Sequence, residues 1–153
     1  CGIDPGLSGA LAFFNVSAGT LDIIDMPTVE VVRNKKTKRE VSAVLLANEI
    51  RKQGFIDMTF VERVNAMPDQ GVTSVFSFGR SSGIIEGVLA TLALPYTIEP
   101  PQAWQKSLNV RDGKDGSRLR ATELFPKYAD LFARKKDDGR ADAALMAWYI
   151  ATK

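Results

Sequence analysis

The sequence predicts an α/β domain, a mixed β-sheet covered by α-helices on both faces. Short apolar runs bounded by turn residues open the chain, strand-like and helix-like segments then alternate, and an apolar helical stretch closes it. With 153 residues, 45% of them apolar and 25% charged, the chain has an ordinary globular composition. That length suits one domain over 1–153, and neither a repeat nor a low-complexity linker divides it.

The elements follow in order. Residues 1–4 read as the end of a buried strand, stopped by the turn signal Pro5-Gly6. The chain opens on Cys1 rather than Met, so the expectation is a trimmed start and a shortened first strand. Residues 9–15 and Leu21 to Met26 form a hairpin closed by Asn15 to Thr20. Pro27 ends the third strand, and a short edge strand follows around Val29–Arg33. A lysine-rich loop then leads to a helix from Val41 to Gln53, whose apolar positions recur at helical spacing before Gly54. Met58 to Glu62 is a short apolar strand ending in a carboxylate, and a loop over Asn65–Gly71 precedes a long helix from Val72 to Ala93. Gly79, Gly83 and Gly87 share one stripe of that helix, where each glycine costs about 1 kcal/mol relative to alanine. The stripe is expected to pack closely against a sheet or a second subunit. Tyr96 to Glu99 is a strand, Pro101 to Leu108 a short helix, and Lys114 to Phe125 and Ala141 to Thr152 are helices.

Composition excludes much chemistry. Without any histidine, Ser–His–Asp and Cys–His mechanisms and His-ligated metals are ruled out, and a lone Cys1 precludes an internal disulfide or thiolate zinc cluster. Chemistry must run on carboxylates, lysines, hydroxyls and backbone groups, and carboxylates suit a hard cation such as Mg²⁺ or Mn²⁺. No run of eighteen apolar residues exists to span a membrane, and the start lacks a signal-peptide pattern, so the expected location is cytoplasmic. The net charge of +2 announces no partner. Lys35, Lys36, Lys38 and Arg39 form one basic cluster and Arg134, Lys135 and Lys136 another. Such runs are usually solvated loops, and they gain a role only where a phosphate backbone comes near.

Three carboxylates stand out by position. Asp4 ends the first strand, Glu62 ends the strand Phe60-Val61-Glu62, and Asp142 lies in the first turn of the last helix with Asp138 four residues earlier. Alone, each has a bland reading as turn former, solvated strand end or helix cap. If the Asp4 and Glu62 strands are neighbours, the final helix can deliver Asp142 to the same sheet edge. Crowded carboxylates repel unless a divalent cation sits among them. Two such ions about 4 Å apart form a clamp for phosphodiester hydrolysis.

Four motifs carry a resemblance. Gly2-Ile3-Asp4-Pro5-Gly6 followed by Gly9-Ala10-Leu11-Ala12, then Phe60-Val61-Glu62, Gly79-Arg80-Ser81-Ser82-Gly83 and Asp138-Gly139-Arg140-Ala141-Asp142 occur in order across almost the whole chain. Together they resemble the RuvC-type resolvases, bacteriophage-like members in particular. The resemblance implies a ribonuclease H-like fold with a five-stranded mixed sheet flanked by helices on both faces. It also implies an active site of Asp4, Glu62 and Asp142 plus one further group, with Asp4 bridging two Mg²⁺ ions for which Mn²⁺ substitutes. The family places the further group three residues before the last Asp, but position 139 is glycine. Asp138 is the candidate in its place, with Asp137 behind it.

The resemblance further implies a homodimer that makes paired, symmetric nicks in four-way DNA junctions, with the glycine-striped helix as the dimer face. Pro101 to Lys106 resembles the family's segment beside DNA, so Lys106 is a candidate for neutralising the scissile phosphate; it also reads as an exposed helical lysine. Arg80, Lys114, Arg118 and Arg120 are candidate phosphate contacts beside the first basic cluster. Met67, Phe76 and Phe78 are candidate wedges at the junction centre, although Phe at helical spacing is more often core. Trp104 reads as core. Two other readings stay open: a junction-binding protein without nuclease activity, and an actin- or sugar-kinase-like phosphotransferase, whose opening motif is also Gly-Ile-Asp-x-Gly but which needs two such domains.

Overall fold

The computed structural model describes residues 1–65, 69, 71–113 and 115–153. Its strands are β1 (Gly2–Ile3), β2 (Ala10–Asn15), β3 (Thr20–Asp25), β4 (Thr28–Arg33), β5 (Lys36–Val41), β6 (Thr59–Glu62) and β7 (Tyr96–Glu99). The helices are α1 (Ala43–Lys52), α2 (Val72–Thr91), α3 (Pro101–Ser107), α4 (Gly116–Leu124) and α5 (Asp138–Thr152). Short 3₁₀ segments over Pro126–Phe132 and Lys135–Asp137 link α4 to α5.

Five strands form one mixed sheet in the order β3-β2-β1-β6-β7, as the sequence predicts. β1 pairs antiparallel with β2 and parallel with β6, and β6 pairs parallel with β7. Period-two alternation sorts the side chains between two cores. Ala10, Ala12 and Phe60 face α5, whereas Ile3, Leu11, Phe13 and Val61 face α1 and α2. α1 starts on Ser42, whose hydroxyl accepts from the Leu45 N–H at 3.3 Å, a cap worth about 1 kcal/mol. It seats the fully buried Leu46 and nearly buried Ile50, about 2 kcal/mol each, on the second face.

α5 lies directly on β1 because residue 2 is glycine. A Cβ there would stand 2.2 Å from the Ala143 carbonyl oxygen and 2.4 Å from the Ala147 nitrogen. The same face of β1, two residues on, belongs to Asp4. Nothing in the described chain forms a helix long and apolar enough to cross a membrane.

Three expectations need correction. The lysine-rich stretch is a strand rather than a loop: β4 and β5 pair over Thr28↔Val41 to Arg33↔Lys36 in a ribbon separate from the main sheet. The turn residues Asn34 and Lys35 both have positive φ, 52° and 61°, as a tight two-residue hairpin connection requires. The last helix starts at Asp138, so Asp142 lies in its second turn. Gly79, Gly83 and Gly87 do not pack on the sheet, since a Cβ at any of them meets nothing within 4 Å. α2 turns Ser81, Ile85, Val88 and Leu89 inward instead.

Candidate active site

Strand order and alternation bring the predicted carboxylates to one end of the sheet. β1 and β6 are adjacent and parallel, with Ile3 level with Val61, so Asp4 and Glu62 follow on neighbouring strand ends and on the face covered by α5. α5 supplies Asp142 to that end one turn before Met146, which packs over Gly2.

Burial dominates the electrostatics of all three groups. Desolvation pushes the Asp4 carboxyl up to about 6; the Gly6 N–H, 3.3 Å from Oδ1, opposes this and the charge of Glu62 adds to it. Asp142 is pushed up to about 7, again first by desolvation, with the Ser117 hydroxyl opposing and the charges of Asp4 and Asp138 adding. Glu62 is raised by desolvation, eased by a hydrogen bond from the Trp104 indole N–H at 3.0 Å, and raised further by Asp142. Each group therefore feels another of the three.

These carboxylates differ from the ion-paired ones in their partners. Asp25, Glu40, Glu49, Glu99, Asp115, Glu123, Asp137 and Asp138 each hold a lysine or arginine. Among the described residues, Asp4, Glu62 and Asp142 hold none, and Asp142 Oδ1 is buried with no hydrogen-bond donor. Three uncompensated oxygen-donor groups fit a hard divalent cation. Their side chains do not close on one point: among the described residues, no three acidic groups come near enough to share an ion. Glu62 is turned to Trp104 and Asp138 to Arg118.

Asp137 and Asp138 separate cleanly. Asp137 is 1% exposed and gripped by Arg134, while Asp138 is half exposed and accepts from Arg118 Nε at 2.8 Å. The glycine at 139 has a steric cause. A Cβ there would lie 2.5 Å from the Ser8 carbonyl, 2.8 Å from Gly9 Cα and 2.9 Å from Asp4 Oδ2, so the backbone after Asp4 occupies the place of any side chain.

The basic residues divide between one surface and scattered sites. Lys36, Lys38 and Arg39 lie on β5 and Lys35 in its turn. Arg39 donates to the Leu7 carbonyl at 2.8 Å, tying the ribbon to the loop that follows Asp4. Arg33, Lys38, Arg39, Phe76 and Arg80 line a cleft of about 110 Å³ between the ribbon and α2. Within it Arg80 pairs with Glu40, and Phe76 is 71% exposed rather than core. Phe78 is also exposed. Lys106 is exposed on α3. Arg118 is taken up by Asp138, Asp115 and the Ala133 carbonyl, and Arg120 by Glu123 and the Leu108 carbonyl. Arg134 belongs to the Asp137 pair. Met67 and Lys114 lie outside the described residues. Trp104 is fully buried, as expected, but its hydrogen bond to Glu62 was not foreseen. Its one sequence signal is an indole N–H that must find an acceptor when buried.

No protein-family model matches the chain. Over 90 residues it is 31% identical to the chloroplastic Holliday junction resolvase MOC1 of Chlamydomonas reinhardtii, covering 58% of this chain. It spans only 10% of that relative's length. The fold superposes on Thermus thermophilus RuvC in complex with a Holliday junction substrate with TM-score 0.60 and 14% identity, covering 98% of this chain and 90% of the other. A second T. thermophilus RuvC structure gives TM-score 0.54 at 13% identity, covering 99% and 94%. The sequence similarity is thus confined to part of the chain, and the chain as a whole has the ribonuclease H-like fold of RuvC.

Proposed function

We propose that this protein is a Mg²⁺-dependent endodeoxyribonuclease that resolves four-way DNA junctions by paired, symmetric nicks. The observation that supports it is the set of desolvated carboxylates, Asp4, Glu62 and Asp142, gathered at one sheet end without a cationic partner among the described residues. A buried charge without a counter-charge is costly, and a divalent cation offsets that cost.

Asp4, Glu62 and Asp142 would hold the cations, and Asp138, now paired with Arg118, would complete the set. When bound, Mg²⁺ or Mn²⁺ supplies water activation and charge stabilisation for phosphodiester hydrolysis. The chain's own part is to hold these oxygens on two strand ends and on α5 and to bring DNA to them. The ribbon residues Lys35, Lys36, Lys38 and Arg39 suit the phosphate backbone, because Arg39 anchors the ribbon to the loop after Asp4. Phe76 and Arg80 border the same cleft. Lys106, Lys114 and Arg118 are assigned as further DNA contacts, and Met67 as a wedge residue. A homodimer suits the substrate, since two-fold symmetry presents equivalent strands to two sites. The uncovered glycine stripe of α2 is assigned as its contact face.

The test is incubation of a labelled synthetic four-way junction with and without Mg²⁺, mapping every nick. Metal-dependent nicks at symmetric positions on opposed strands are expected. A bound junction left uncut with both Mg²⁺ and Mn²⁺ contradicts the nuclease reading and favours a junction-binding protein.

A further inference from the structure

Among the described residues, Trp104 is the one side chain outside the acidic set that is both fully buried and bonded to a member of it. Glu99 ends β7 level with Glu62, and the Pro100-Pro101 step starts α3 at once, so α3 begins beside the strand next to β6. That brings the indole N–H to within 3.0 Å of Glu62 Oε2, across 42 residues of sequence. The donor is neutral. An arginine or lysine there would cancel the carboxylate's charge, as Arg134 does for Asp137 and Lys153 for Glu99. An indole fixes the direction of the group and leaves its charge available.

We propose that Trp104 is a positioning residue for Glu62: its N–H claims Oε2, locks the carboxylate rotamer and leaves Oε1 to take a divalent cation. This rests on the cation site assigned above. Outer donors of this kind orient ligating carboxylates, and their loss typically weakens metal binding by about 10–100-fold.

The experiment is Mn²⁺ titration by calorimetry of the whole chain at neutral pH, without DNA. Three proteins are compared: wild type, Trp104→Phe, and a form carrying benzothienylalanine at 104, which keeps the fused ring shape and lacks the N–H. Circular dichroism checks that each is folded. Wild type is expected to bind Mn²⁺, and the benzothienylalanine form to bind it about 10-fold or more weakly while melting at a similar temperature. Unchanged affinity in that form overturns the role of Trp104 and leaves the cation site standing. Lower affinity in Trp104→Phe alone means that packing rather than the N–H matters, which also overturns it. Absence of Mn²⁺ binding to wild type overturns the cation site itself, and this inference with it.

Discussion

Asp137 and Asp142 stand five residues apart near the start of α5, yet their carboxyl groups are driven in opposite directions. Asp137 is lowered, first by its hydrogen bonds from the Arg134 side chain, with desolvation opposing. Its oxygens sit 2.9 Å from Arg134 Nη2 and the Arg134 backbone N–H, and Arg140 continues the network to Asp25 at 2.6 Å. Asp142 has no such cation among the described residues and is raised by desolvation to about 7. The first arrangement clamps the entry of the helix to the end of β3. The second keeps charge in reserve, the pattern expected where a ligand supplies the missing positive charge.

The largest effect that can break this contrast is on cutting. Under the proposed function Asp4→Asn is expected to reduce junction cleavage by at least about a hundredfold while junction binding persists, because the carboxylate would serve the bound cations and not the backbone grip. Nick assays alongside gel-shift binding check it, and retained cutting removes Asp4 from the site. Asp138→Asn should lower cleavage about tenfold. Asp137→Ala should instead leave cutting intact at low temperature and lower Tm by roughly 5 °C, since it strips Arg134 and Arg140 of a shared partner. Equal losses of activity from both would erase the distinction.

Position 139 sharpens the contrast through packing. Gly139→Asp places a carboxylate three residues before Asp142. The Ser8 carbonyl and Gly9 Cα stand in the way, so denaturant unfolding should show a loss of about 2–3 kcal/mol and cleavage should not rise. Greater activity would show that the loop yields to a ligand.

A smaller effect is expected from pH in the metal-free protein. Asp4 and Asp142 are raised from 3.8 to about 6 and about 7, so between pH 5 and pH 6 the folded state binds more protons than the unfolded one. Stability therefore falls as pH rises through that window, by up to about 2 kcal/mol. The lowered groups Asp25, Glu99 and Asp137 lose their contribution only at lower pH. Thermal melts at the two pH values check this, and Asp142→Asn should flatten the slope. The smallest effect is on the ribbon. Replacing Lys35, Lys36 and Lys38 with alanine should weaken junction binding and reduce its logarithmic salt slope by about 0.9 for each phosphate no longer neutralised. An unchanged slope returns the ribbon to the role of a solvated hairpin.

What the sequence disclosed and what it hid follow from distance along the chain. The placement of Asp4 and Glu62 at one sheet end was legible because each ends an apolar strand, where a charge has no packing purpose. The sheet was legible because its strands alternate or run apolar between clear turn residues. The strand Lys36–Val41 was not, because Lys-Thr-Lys-Arg-Glu is polar on both faces and Asn34-Lys35 lacks the glycine that usually marks a hairpin. Trp104 and Asp137 were hidden for another reason: residue type alone does not tell whether a buried indole meets a carboxylate or whether an aspartate meets arginine. Gly139 looked like a missing ligand and is a packing contact.

The most direct measurement is anomalous diffraction from crystals of the protein equilibrated with Mn²⁺. The predicted result is an anomalous peak ligated by oxygens of Asp4, Glu62 and Asp142, with Trp104 still bonded to Glu62 and no ion at Asp137. Manganese bound elsewhere while those three carboxylates stay empty would contradict the cation site.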